Sequence, residues 1–444
     1  MENLRFFIER WIKIITCCTF HFMNFRDFIN HLDSRGLLVR IKKEVDTEYE
    51  VATLMKMLDG KPLLFENVKG HEMPVAANVM STRNLVAEGL GIRAEELIKK
   101  MYDAINNPVE PEIKKADGYR MLNNLNDIPI LLHYPQDGGK YISSAVVVAR
   151  DEEYGLNASY HRMMVVDVDR VVMRILPRDF HKYLERGNKE FAICIGNPVS
   201  VAIASAVSMS TDVNELAIAN ALSPTPLVEI EGHVVPEAEI VMIAEMTDEM
   251  HKEGPFLDLT ETFDIVREQR VARIKKIYAK ENAIYHALLP GGLEHKTLMG
   301  TPKEPTIFYE VGKVCDVKDV YITPGGCSWL HGAVSIKKHN PDDGKKAIEA
   351  AFRGHKSMKH VFVVDDDIDI HDWQQIEWAM ATRFQGDKDM VIKKEKGSSL
   401  DPSADPATRE TTKIGFDLTI PWDKERENFR KPELPMKLNP DDYL

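Results

Sequence analysis

The chain predicts a multidomain protein of mixed α+β and α/β class, and three observations predict it. Helix-period runs and short apolar runs alternate over residues 23–115. A dense series of short β-rich runs fills 116–300. A strand–helix–strand–helix order then returns over 301–420. Its 444 residues suit roughly three domains, and a balance of 44% hydrophobic and 29% charged residues supports a sizeable core.

The elements follow in order. Residues 1–22 are apolar but carry Arg5, Glu9, Arg10 and Lys13, and lack the order of a signal peptide. They read as an N-terminal extension upstream of a native start at Met23, or as an amphipathic surface helix. From Asn24, a capping residue, Phe25, Phe28, Ile29 and Leu32 fall on one helical face. LLVRIKKEV, PLLFENV and MPVAANVM read as strands, and EYEVATLMKML, NLVAEGLGI and AEELIKKMYDAI as helices. Pro108 and Pro111 mark a linker. YISSAVVVARD, MMVVDVDRVVMRIL, FAICIG, PLVEI and EIVMIAEM suggest a barrel or sandwich, with helical insertions at DFHKYLERG and PVSVAIASAV…ELAIANAL. PTIFYEVGKV, GGCSWLHGAVSIKK and HVFVVDDDIDI are strand candidates; KKAIEAAFRG and DWQQIEWAMATRF are helices. The polar, Pro-rich tail over 421–444 suits wrapping a neighbouring subunit.

Composition excludes several function classes. A net charge of −13 argues against general nucleic-acid binding. No run of 18 uncharged apolar residues exists, so no membrane span is expected. Five cysteines without a CxxC argue against a disulfide framework and a thiolate zinc site, and suit a reducing, cytoplasmic compartment.

Candidate chemistry lies at separate places. HKEGPFLD brackets a Gly-Pro-Phe turn with two acids, Glu253 and Asp258. Asn157 and Arg162 are five apart, which puts them on opposite strand faces unless a bulge intervenes. Taken alone they read as a solvated turn Asn and a surface Arg. Asp179, His181 and Glu215 are hard or borderline ligands that suit Mg²⁺ or Mn²⁺ better than zinc, though Glu215 alone reads as a helix-surface acid. VVDDDIDIHD lacks the Gly and closing Glu of a calcium loop, so its acids read as caps of the next helix. GGLEHK offers Glu294 and His295 to a pocket or a plain loop, and KIGFDLT places Lys413 in an apolar setting.

Together these motifs resemble the UbiD-like decarboxylases, which use prenylated FMN. NASYHR, LPRDFH, IGNPVSVAIASA, DVNELAIANAL, VVPEAEIV, EGPFLD, VVDDDIDIHDW, ATRF and KIGFD occur in order over nearly the whole chain. The resemblance implies a central split β-barrel carrying the flavin, flanked by N-terminal and C-terminal α/β domains. It implies an acid–Arg–acid network of Glu253, Arg162 and Asp258. An Arg fork can grip a carboxylate in a bidentate manner, and a partly desolvated acid can deliver a proton.

It further implies that Asn157, Glu215 and a third residue hold Mn²⁺ or Mg²⁺ on the flavin phosphate, with K⁺ as a further cation. The register from Pro177 falls on Asp179, with His181 two residues later as the alternative. Asn157, His161, Arg162, Ser205, Glu215 and Lys413 would contact the cofactor, Lys413 through its phosphate. The function implied is reversible, non-oxidative decarboxylation of an α,β-unsaturated acid. The archaeal branch of the family points to a small phosphorylated carboxylate, trans-anhydromevalonate 5-phosphate, giving isopentenyl phosphate. Glu294 and His295 would line its pocket, and His161 and His295 could meet its phosphate. The alternatives are an aromatic acid such as 4-hydroxy-3-polyprenylbenzoate, or a flavin-binding protein without catalysis. A homodimer or homohexamer is expected, with a separate flavin prenyltransferase supplying the cofactor.

Overall fold

A computed structural model describes residues 22–207, 213–432, 435, 436, 438 and 443. Most of the segment 1–22, and part of the tail from 421, lie outside the described residues. The chain forms two compact units. One runs to Pro305 and takes in Cys327–Trp329; the other comprises Thr306–Gly326 and the chain from Leu330.

The first unit opens on the helix Phe25–Ser34. Asn24 accepts from the Asp27 amide and Asp27 answers to the Asn24 amide, a reciprocal cap. Its face of Phe25, Phe28, Ile29 and Leu32 is buried as its spacing requires. A small sheet follows, in the order Val39–Ile41, Leu63–Phe65, Val75–Ala77 and Tyr285–Ala287.

The centre of this unit is a nine-stranded sheet. Its path runs Tyr141–Ile142, Met163–Asp167, Arg170–Met173, Arg267–Lys280, Ile240–Glu253, Glu190–Ile195, Val146–Asp151 and Gly155–Tyr160, with Tyr119–Leu122 also paired on Arg267–Lys280. Both faces are covered. Ile193 and Ile195 join one apolar cluster, while Ala192 and Cys194 join the other, as strand alternation dictates. That is why FAICIG is apolar throughout rather than alternating. Gly155–Tyr160 ends the path, and Met163–Asp167 stands next to its other end. Only His161 and Arg162 connect them, so the sheet must curl to bring its ends within the reach of two residues. No ladder pairs the two ends among the described strands, so the sheet is curled but not closed.

Ile240–Glu253 and Arg267–Lys280 form a long antiparallel hairpin. Its tip carries a second, short ladder that pairs Phe256 with Asp264 and Leu257 with Phe263.

The second unit is a five-stranded sheet in the order Asp316–Ile322, His331–Lys337, His360–Asp365, Glu410–Asp417 and Met390–Lys396. His331–Lys337, the helix Asp343–Gly354 and His360–Asp365 make the expected parallel βαβ unit. One expectation is corrected here: PTIFYEVGKV is not a strand but the helix Glu304–Gly312. Ile307 and Val311, four apart, are fully buried, while Tyr309 between them is exposed. Alternation alone could not separate these patterns, and Pro305 sits where a helix tolerates it. The LEHK of GGLEHK also proves helical, opening Leu293–Gly300 with Gly292 as its N-cap. The acids of VVDDDIDIHD act structurally: Asp365 and Asp367 bind Arg383, and Asp372 caps Trp373–Arg383.

Candidate active site

Three parts of the first unit meet at one guanidinium. Arg162 stands in the two-residue link between strands, so strand alternation does not govern where it points. This overturns its reading as a surface residue: its side chain is only 10% exposed. Glu253, the last residue of its strand and wholly buried, accepts from Arg162 Nε at 2.8 Å and from Nη2 at 3.0 Å. Asp258 accepts from Nη1 at 3.3 Å. A third acid, Asp264, accepts from Nη2 at 2.9 Å. The guanidinium carbon lies 4.8 Å from the centre of the Phe256 ring.

Arginine has five N–H donors, and these bonds use four. Among the described residues one on Nη1 is left for another acceptor. Burial works against the Arg162 charge, but the Glu253 hydrogen bond and the charges of Glu253, Asp258 and Asp264 outweigh it and hold the guanidinium protonated.

The turn carrying the acids is tightly specified. Gly254 has φ +99°, where a side chain would be strained, and the Gly138 amide donates to Pro255 O at 2.9 Å. A Cβ on Gly138 would lie 2.3 Å from Gly254 O. Tyr141, fully buried, donates to Glu253 Oε1 at 3.1 Å and accepts from the Gly254 amide at 3.0 Å. Tyr141→Phe should therefore cost about 1–3 kcal/mol of stability, because it leaves the buried Gly254 N–H unpaired. Urea denaturation of the two proteins checks this.

Asp137, below the same turn, accepts from the Tyr134 amide at 3.0 Å, and burial pushes its carboxyl up to about 6. Asp264 is clasped by Arg267 at 2.6 and 2.7 Å. Burial would raise its pKa, but Arg267 and Arg162 prevail and hold it at about 2. Tyr141, Asp137, Asp264 and Arg267 escaped sequence reading. Only the last two left a signal, the D-x-x-R of FDIVR on the strand returning from EGPFLD.

His295 stands on the helix Leu293–Gly300. Its Nδ1 accepts from the Gly291 amide at 3.2 Å, which leaves the proton on Nε2. Burial lowers its pKa, while the charge of Asp258 close by opposes that. Glu294 is buried elsewhere, accepting from the Met80 amide at 2.9 Å and meeting His286 Nε2 at 3.1 Å.

A second cluster surrounds Glu215. Its reading as a surface acid is overturned, since it is 5% exposed. It accepts from Asn157 Nδ2 at 3.1 and 3.2 Å and from the Ala158 amide at 2.9 Å. Burial, helped by the nearby Asp179 charge, pushes Glu215 up to about 7. Asn157 is buried too, so its reading as a solvated turn residue also fails. Its Oδ1 accepts from Ser159, whose hydroxyl also meets His161 Nε2. His161 Nδ1 lies 3.1 Å from Arg174 O, and burial lowers its pKa to about 4. His181 turns instead toward Glu185, at 3.5 Å, with its side chain 41% exposed.

Among the described residues no three His, Cys, Asp or Glu converge on a common point; Asn157, Asp179 and Glu215 include only two of those types. Their donor set fits a divalent cation: hard oxygens, with two acids close enough to oppose each other's charge. Among the described residues the buried Ser205 Oγ has no partner, which fits a polar group of a bound cofactor. Lys413 belongs to the second unit, where its ammonium donates to Lys356 O at 2.6 Å and pairs with Glu395 at 3.4 Å.

Three family models match consecutively: the N-terminal, Rift-related and C-terminal domains of 3-octaprenyl-4-hydroxybenzoate carboxy-lyase, at residues 29–105, 107–293 and 296–418. The chain is 40% identical over 411 residues to the anhydromevalonate phosphate decarboxylase of Methanothermobacter thermautotrophicus, covering 89% of this chain and 96% of that one. It is 41% identical over 428 residues to that of Methanocaldococcus jannaschii, covering 93% and 100%. Among solved structures it resembles the UbiD-class enzyme HmfF from Pelotomaculum thermopropionicum in complex with FMN. The TM-score is 0.90 at 34% identity, over 95% of this chain and 100% of that one. An evolved dimeric form of HmfF in complex with prFMN gives 0.86 at 33%, over 95% and 100%. The chain belongs to the UbiD family of carboxy-lyases.

Proposed function

We propose that this enzyme decarboxylates trans-anhydromevalonate 5-phosphate to isopentenyl phosphate, with prenylated FMN bound in the curled sheet as a split barrel. The observation that carries the reading is the buried Arg162, held by acids on the EGPFLD turn with one N–H left over. The names and identities of the curated relatives support this substrate. Prenylated FMN supplies the electron sink for the charge left on carbon when CO₂ departs.

The residues supply position and a proton. The remaining Arg162 N–H orients the leaving carboxylate. Glu253 fixes the guanidinium by gripping its Nε–Nη2 edge with both oxygens. Loss of CO₂ from a carboxylate consumes one proton at the carbon it leaves. Asp258, with a single long bond to Arg162, is the acid least committed to the hub and delivers that proton. His295 presents Nε2–H toward the same space, as a donor to the substrate. Asn157, Asp179 and Glu215 hold Mn²⁺ or Mg²⁺, with Asp179 preferred because His181 is engaged at the surface, and Ser205 contacts the flavin. The protein works as a homo-oligomer and receives its cofactor from a separate prenyltransferase.

Reconstitution tests this reading. Protein loaded with prenylated FMN and Mn²⁺ should convert anhydromevalonate phosphate to isopentenyl phosphate, followed by ³¹P NMR, while FMN-loaded protein should not. Turnover of hydroxybenzoates in its place would overturn the substrate.

A further inference from the structure

Asp264 is the third acid on Arg162, and its geometry differs from that of the other two. Nη2 is divided between Glu253 Oε2 at 3.0 Å and Asp264 Oδ2 at 2.9 Å, while Asp258 receives only Nη1, at 3.3 Å. Asp264 is itself divided. Arg267 takes both its oxygens, and Oδ2 faces both guanidinium groups. The register explains this: Glu253 pairs with Arg267 across the long hairpin, and Asp264 with Phe256 across the short one. The hairpin tip thus folds an ion pair against the far side of Arg162.

We infer that Asp264, steadied by Arg267, is a positioning residue: it holds the Nη2 side of the Arg162 guanidinium while Asp258 takes Nη1, and through its pull on that shared cation it governs how firmly Asp258 holds its proton. The inference rests on the proposed role of Asp258. Its physics is that of a shared cation. The more closely Arg162 is drawn to Asp264, the less of its charge reaches Asp258, and Asp264 adds a like charge to the same hub. Both effects weaken the hold of Arg162 on the Asp258 carboxylate. Arg267 works the other way, because it takes up part of the Asp264 charge. The other polar and charged groups about this hub are Glu253, the Leu259 amide that donates to Asp258 Oδ1 at 2.7 Å, His295, Arg174 and Asp137. None of them bridges Arg162 and Arg267 as Asp264 does.

The sign follows from removing each partner. Asp264→Asn deletes a like charge from the hub and releases its pull on the Nη2 side of Arg162, so Asp258 should give up its proton at lower pH. Arg267→Gln drives Asp264 more fully onto Arg162, so Asp258 should keep its proton to higher pH. Each shift is expected to be about one pH unit.

The test is a ¹³C NMR titration of flavin-free protein labelled at aspartate carboxyl carbons, with Asp258 assigned by difference from Asp258→Asn. In the loaded enzyme, the loss of kcat at high pH should move in the same two directions. Arg267→Lys keeps the charge and should keep the wild-type midpoint, which separates this pull from general damage. It also leaves a test if Asp264→Asn fails to fold. Shifts in one common direction, or no shift in either variant, would overturn the inference. Full turnover by Asp258→Asn would overturn the role of Asp258 instead, while the flavin-free midpoints would still decide the pull of Asp264.

Discussion

Asp258→Asn should lose at least about 100-fold in turnover, the usual contribution of a positioned acid, and still bind prenylated FMN at wild-type stoichiometry. The substitution is isosteric. It keeps the Leu259 N–H bond to Oδ1 and removes the carboxyl proton, together with the charge and the Oδ2 acceptor that meets Arg162 Nη1. Asp258 has one bond of 3.3 Å to Arg162, so the hub survives its neutralisation through Glu253 and Asp264. The measurement is kcat with anhydromevalonate phosphate, alongside flavin absorbance of the purified protein. Undiminished kcat at full occupancy would show that the proton comes from elsewhere.

Arg162→Met should abolish turnover and also destabilise the fold. Glu253 is fully buried and accepts two hydrogen bonds from Arg162. Without them, among the described residues, it keeps only the Tyr141 hydroxyl. Breaking a buried pair from one side costs about 3–5 kcal/mol, because a charge is left uncompensated. The double variant Arg162→Met/Glu253→Gln should recover part of that loss, read by urea denaturation, while remaining inactive. Recovered activity in the double variant would contradict the role of Arg162. Arg162→Lys should also fail, since one ammonium cannot span three acids on two sides.

Helices with a single clear apolar face were legible in the sequence: Phe25–Ser34 carries its cap and its buried stripe in plain view. The βαβ order of the second unit was equally legible. Short apolar runs misled where the two periods coincide, as in PTIFYEVGKV, where the exposure of Tyr309 decides for helix.

The acid pair of EGPFLD was visible as a motif, but its target was not. Arg162 sits outside any strand, so no periodicity could aim it; the resemblance did. Asn157 and Glu215 read as surface residues because each is polar and locally unremarkable. Their burial depends on two elements brought together across 58 positions of sequence. Tyr141 left no local trace, for its hydroxyl acts on a turn 112 residues away. Asp264 and Arg267 escaped notice because their D-x-x-R spacing is an ordinary surface charge pattern, and only the hairpin register turns Asp264 toward Arg162.

The most direct measurement is a crystal structure of the protein loaded with prenylated FMN. The account predicts the flavin ring against the Nη1 side of Arg162, within reach of Asp258, with its phosphate beside Asn157 and Glu215. A ring bound away from Arg162, with Asp258 facing solvent, would contradict it.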